Sequence, residues 1–154
     1  MAETNCGFDD VPGGAPGSEL LVSAGPTIVV NIGFDPKWKP ALPVVMPIPG
    51  ITDIRALVDT GATECCIDNR LAIQLNLPIV DERPYGGIGG RHMAKMYLAQ
   101  VHIPSLNYTM YGAFAGVKLA ESGAVHQALI GRTFLQAMKT TYDGATGKVV
   151  LSSV

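Results

Sequence analysis

The chain has 154 residues, 47% of them hydrophobic and 16% charged, with a formal net charge of −2. One compact domain is expected, because a chain of this size buries roughly 68–70% of its unfolded surface. The slightly acidic balance leaves no footprint for nucleic acid, and no apolar run reaches the length of about 18 residues that a membrane helix needs.

Residues 1–24 carry Gly7, Pro12, Gly13, Gly14, Pro16 and Gly17 with few large apolar groups, so a flexible tail is expected there and a folded domain over residues 25–154. The first residues lack the basic and apolar regions of a secretory leader. Residues 27–34 (TIVVNIGF) are β-branched and apolar and predict a strand. Pro36, Pro40, Pro43, Pro47 and Pro49 then demand an irregular or edge segment, in which Trp38 reads as a packing anchor. A strand over residues 53–58 leads into Asp59, and a second short one is expected over residues 64–67. Asp68 or Asn69 can cap a helix running to Leu77 and stopped by Pro78, with Leu71 and Leu75 on its buried face. Strands follow at 80–85, 93–103, 108–117 and 128–130, then a short helix at 133–138. A closing hairpin pairs residues 139–142 with 148–151 around Asp143-Gly-Ala-Thr-Gly147. Many short strands with two short helices argue an all-β, barrel-like domain. Cys6, Cys65 and Cys66 form an odd count with an adjacent pair, which predicts reduced thiols and a cytoplasmic location.

Three motifs stand out as candidate chemistry. In Ala56-Leu-Val-Asp-Thr-Gly-Ala62, apolar Leu57 and Val58 deliver the carboxylate of Asp59 to a turn at Gly61. A carboxylate beside apolar packing is costly unless it is hydrogen-bonded or its ionisation shifts. Gly86-Gly87-Ile88-Gly89-Gly90 reads as a mobile hairpin tip, where glycine permits positive φ and close approach to a ligand. A phosphate loop is excluded, because the third glycine of G-x-G-x-x-G is His92. In Ala128-Leu-Ile-Gly-Arg132 a strand ends at Gly131 and Arg132 opens a helix. His92, His102 and His126 have no zinc-ligand spacing, so no metal and no cofactor are expected. No serine or cysteine stands in a nucleophile motif.

In this order the three motifs resemble the retropepsin-like aspartic proteases, the single-lobe relatives of pepsin, over about residues 27–153. The resemblance implies a single-lobe acid-protease barrel that is active as a homodimer, since the chain has one Asp-Thr-Gly. Asp59 would be the catalytic residue, with Thr60, Gly61 and Ala62 supporting its loop. Gly86, Gly87, Ile88, Gly89 and Gly90 would form the flap over a peptide or protein substrate. Ile130, Gly131 and Arg132 would brace the site. The helix after the active-site strand and the closing hairpin make the chain more similar to cellular and bacterial members than to viral ones. Retroviral enzymes usually place an aspartate after Gly-Ala to pair with the arginine of the late motif. Here Thr63 holds that position and Glu64 follows, which leaves the acceptor for Arg132 open. The expected activity is endopeptidase hydrolysis through water activated by paired aspartates, with no nucleic-acid or membrane partner. The alternative is a protease-fold module for dimerisation or peptide binding with little turnover.

Overall fold

The computed structural model of the chain describes residues 2–37, 50–87, 90–121 and 123–153. Trp38, Pro40, Pro43, Pro47, Pro49 and the expected tip residues Ile88 and Gly89 lie outside the described residues.

Strand periodicity builds the core. In β2 (Thr27–Gly33) and β3 (Gly50–Val58) alternate side chains fall on one face, which buries Ile28, Val30, Ile32, Ile54, Ala56 and Val58. β2 and β3 pair antiparallel. β8 (Ala128–Ile130) adds to β3 in parallel, β4 (Cys66–Asp68) adds to β8 antiparallel, and β7 (Tyr108–Val117) adds to β4 in parallel. β6 (Gly90–Ile103) runs antiparallel to β7 and then reaches β2 through Asn31–His102, Ile32–Val101 and Gly33–Gln100. That last pairing closes a barrel in the order β2-β3-β8-β4-β7-β6, leaving β5 (Ile79–Gly87) attached to β6 alone. The β5–β6 hairpin is therefore an arm, and Gly90 to Met93 on it are exposed. Inside the barrel Ile67, Val101, Ile103, Phe114 and Ile130 are almost wholly buried, each contributing about 1.5–3 kcal/mol.

The short elements shift from their expected bounds for local reasons. β4 begins at Cys66, two residues later than the sequence pattern suggests, because Glu64 and Cys65 are drawn against Gly131, just after β8. α2 (Asn69–Gln74) stops short of Leu77 because Asn76 turns left-handed at φ 52°. α3 (Arg132–Leu135) starts one residue earlier than expected, directly from Gly131.

Residues 2–24 are not a tail. β1 (Glu3–Asn5) pairs antiparallel with β10 (Lys148–Ser153), which pairs with β9 (Met138–Asp143) in a separate three-stranded sheet. The Cys6 and Phe8 N–H groups donate to the carbonyls of Val149 and Gly147 at 2.7 and 2.9 Å. α1 (Gly17–Ala24) buries Leu21 in the main core together with Cys6. The glycines that suggested mobility serve close approach instead. A Cβ on Gly7 would strike the Gly147 carbonyl, and one on Gly17 would strike the Phe8 carbonyl.

Candidate active site

The parallel pairing of β3 and β8 places Val58 opposite Ile130, so both strands release their chains at the same end of the barrel. The Asp59 N–H donates to the Ile130 carbonyl at 2.9 Å, extending that ladder by one bond. Immediately beyond it the chain turns. Oδ1 of Asp59 accepts the Gly61 N–H at 2.9 Å, and the Asp59 carbonyl accepts the Ala62 N–H at 3.3 Å. The turn leaves Asp59 half-buried, exposes Thr60 and Gly61, and tucks Ala62 inside.

A second set of bonds holds the loop from the side of α3. The N–H groups of Arg132 and Thr133 donate to the carbonyls of Ala62 and Thr63 at 2.9 and 3.1 Å. The Arg132 guanidinium straddles the loop, donating from Nη1 to the Thr60 carbonyl at 2.8 Å and from Nη2 to the Thr63 hydroxyl at 2.9 Å. This settles the acceptor of Arg132: it is Thr63 with the Thr60 backbone, while Glu64 lies 3.9 Å from Arg83. Gly131 sits where the loop crosses, its N–H donating to the Cys65 sulfur at 3.3 Å. The braces expected at Ile130, Gly131 and Arg132 all touch the loop that carries Asp59.

Sequence reasoning read the adjacent cysteines only as reduced thiols, and the structure gives each a contact. Cys65 receives Gly131 and lies 3.5 Å from the Thr133 hydroxyl. Cys66 donates its thiol to the Tyr85 oxygen at 3.1 Å, linking the loop's strand to the β5 arm. Burial pushes the Cys66 thiol up to about 11, and the Asp59 charge adds to the rise. Burial and the Cys66 contact raise the Tyr85 phenol as well, again with Asp59 contributing. Thiol and phenol therefore keep their protons at neutral pH, inside the field of the Asp59 carboxylate. Cys66 packs with Ala94, Met96 and Ala115 in a small cluster that Tyr85 and Leu129 complete. Periodicity alone could not reveal a cross-strand pair between residues 66 and 85, which are joined by the fold rather than by spacing.

The glycine-rich segment lies at the end of the arm. Gly86 and Gly87 end β5, and Gly90 opens β6 with φ 102°, a conformation glycine adopts without strain. Beneath the arm is a groove of about 800 Å³ that includes Tyr85 and Ala94 in its lining. Among the described residues, no three His, Cys, Asp or Glu side chains converge as a metal site.

Residues 26–142 match the family model described as retroviral aspartyl protease. The chain belongs to the retroviral aspartyl protease family. The match takes in the Asp59 loop, the β5–β6 arm and the Gly131-Arg132 brace, and leaves β1, α1 and β10 outside it. Among solved structures this retroviral aspartyl protease relative is similar to EIAV protease complexed with the inhibitor HBY-793, at 17% identity and a TM-score of 0.47. That similarity covers 72% of this chain and 85% of the EIAV chain. No curated protein matches.

Proposed function

We propose that the protein is an aspartic endopeptidase that cleaves an extended peptide or protein segment, with Asp59 as its catalytic carboxylate. The observation that carries this reading is the Asp59 turn. One carboxylate oxygen is fixed by the Gly61 N–H, and Arg132 holds the loop's far side through Thr60 and Thr63. A carboxylate held this way at a strand end can be aimed.

One Asp-Thr-Gly per chain calls for two chains, with the Asp59 side chains meeting on a two-fold axis. Two carboxylates that close share one proton, because both cannot readily ionise. The ionised member takes a proton from water, and the hydroxide formed attacks the peptide carbonyl carbon. The protonated member gives its proton to the carbonyl oxygen. The tetrahedral intermediate then breaks its C–N bond as a proton passes to the nitrogen, releasing an acid and an amine. Thr60, exposed at the loop, would bond across the axis, and Gly61 leaves the backbone open to substrate. The β5–β6 arm would act as the flap, pairing with the peptide as an added strand. β9 is an edge strand with residues 139–143 exposed, which supports the closing hairpin as much of the dimer interface. Three buried thiols support a reducing, cytoplasmic setting.

The deciding experiment is mass spectrometry of peptide mixtures, and of the protein itself, after incubation between about pH 4 and 7. Cleavage by the wild type that vanishes in Asp59→Asn is expected. Equal cleavage by Asp59→Asn would overturn the assignment, and binding without cleavage by the wild type would favour a peptide-binding module.

A further inference from the structure

The groove beneath the arm brings cationic side chains together with apolar ones. Its volume of about 800 Å³ falls within the range of roughly 300–1,000 Å³ typical of ligand sites. Tyr85, Ala94 and Val117 line it together with Arg91, His92 and Lys118. Among the described residues, no carboxylate side chain lines it. The charges of Asp59 and Glu64 reach Tyr85, and two further acidic groups nearby are already engaged. Asp68 is buried and accepts the Ala120 N–H at 3.0 Å. Glu121 lies 3.6 Å from Arg70 and 4.0 Å from Lys118, so one carboxylate faces two cations. Arg91 runs along Gly86 on the paired strand and makes no ion pair among the described residues. The lining itself thus carries two cations, Arg91 and Lys118, beside its apolar residues.

The groove is also joined to the catalytic loop. Tyr85 is shared between them: its ring lines the groove, and its oxygen accepts the Cys66 thiol beside Asp59. A peptide laid under the arm therefore passes this opening.

We propose that the groove is a subsite for an acidic side chain, aspartate or glutamate, of the peptide being cleaved; this rests on the endopeptidase reading above. An acidic side chain sets its methylene groups on Tyr85, Ala94 and Val117 and its carboxylate toward Lys118 and Arg91. A neutral amide of the same shape gains the same packing without the charge-assisted bonds. A basic side chain meets like charge.

The test uses peptide pairs that differ only by Asp against Asn, or Glu against Gln, at each position flanking the cleaved bond. kcat/KM is measured near pH 6, where substrate carboxylates are ionised. One position should favour the acid by about three- to tenfold at low salt, since exposed pairs are individually modest. That preference should shrink as salt rises, because the charges are solvent-facing. Lys118→Glu should invert the preference at that same position, and lysine placed there in the peptide should restore turnover. Arg91→Glu gives an independent reversal if the first variant folds poorly. A ratio near one at every position in the wild type, with hydrolysis proceeding, would overturn the subsite while leaving the endopeptidase standing. So would equal losses of acid and amide peptides in both variants. If no peptide is hydrolysed, the endopeptidase reading fails, and fluorescence anisotropy of the same labelled pairs still decides the groove. Tighter binding of the acid supports it and equal binding overturns it.

Discussion

Gly131 carries the closest contact between the brace and the Asp59 loop, and replacing it by alanine tests that contact directly. Its backbone is extended, at φ −92° and ψ −172°, so any residue could adopt it. Glycine is required there by space. A Cβ at this position would lie 2.7 Å from the Glu64 carbonyl carbon and 2.9 Å from the Ala62 oxygen, with the Glu64 oxygen nearer still. All three are backbone atoms of the loop, and none can rotate aside. The loop has to move, against the Arg132 N–H on Ala62 and the Gly131 N–H on Cys65. Overpacking of this kind costs about 1–3 kcal/mol, and weakening two hydrogen bonds adds about 1 kcal/mol each. The expected loss is therefore about 3–5 kcal/mol, near the upper end for a single substitution. At roughly 2–4 °C per kcal/mol for a domain of this size, Tm should fall by about 6–20 °C. Gly112→Ala is the control, because no heavy atom of the described residues lies within 4 Å of where its Cβ would stand, and it should stay within about 0.5 kcal/mol. Thermal melts by circular dichroism, read beside peptide cleavage, decide the matter. If Gly131→Ala melts together with Gly112→Ala, the close approach is not what holds the loop.

Three further outcomes follow from the same geometry. Specific activity should fall on dilution below the dimer dissociation constant, and sedimentation that finds full activity in a monomer would remove the shared-dyad mechanism. Gly90→Val should cut turnover by stiffening the arm, since a β-branched residue resists the observed φ of 102°; unchanged kcat and KM would show that this segment does not cover substrate. The Cys66 thiol is held up to about 11 against an ordinary 9.0, so the folded state retains a proton that the unfolded state releases. Its contribution to stability is complete below about pH 9 and is lost as pH rises toward 11. Urea melts across that range should show a shallower alkaline decline in Cys66→Ala than in the wild type, and identical slopes would refute the assignment.

Most of the barrel was legible because its strands are amphipathic or continuously apolar. Residues 108–117 and 128–130 were bounded correctly from sequence, since β-branched and apolar runs there end at clear breaks. The Asp59 loop and the Gly131-Arg132 segment were legible as motifs, but the bonds between them were not. Spacing in sequence cannot show that residues 60 and 132 meet; the parallel β3–β8 pairing brings them together. The N-terminal segment was misread because composition counts glycine as a sign of mobility. At Gly7 and Gly17 the missing side chain permits backbone packing that any other residue would block. A three-residue strand such as β1 is also too short to show alternation. The pairing of Cys66 with Tyr85 was illegible for a different reason: neither residue type announces a partner.

The substitution of Thr63 where an aspartate is usual gains meaning from the bonds around Arg132. An arginine clamped to a carboxylate loses much of its hold as that carboxylate protonates, toward pH values of about 4 and below. Here the guanidinium donates to a backbone carbonyl and a hydroxyl, and neither of these titrates in the acidic range. The clamp on the loop is thus independent of pH across the range in which paired aspartates do acid–base chemistry. The nearby carboxylate is displaced outward, where Glu64 faces Arg83 at 3.9 Å with both side chains partly in solvent. Pairs of that kind contribute little and can be lost on acidification without disturbing the loop. The arrangement separates the bonds that position the Asp59 loop, which run to a carbonyl and a hydroxyl, from the Glu64–Arg83 ion pair outside it.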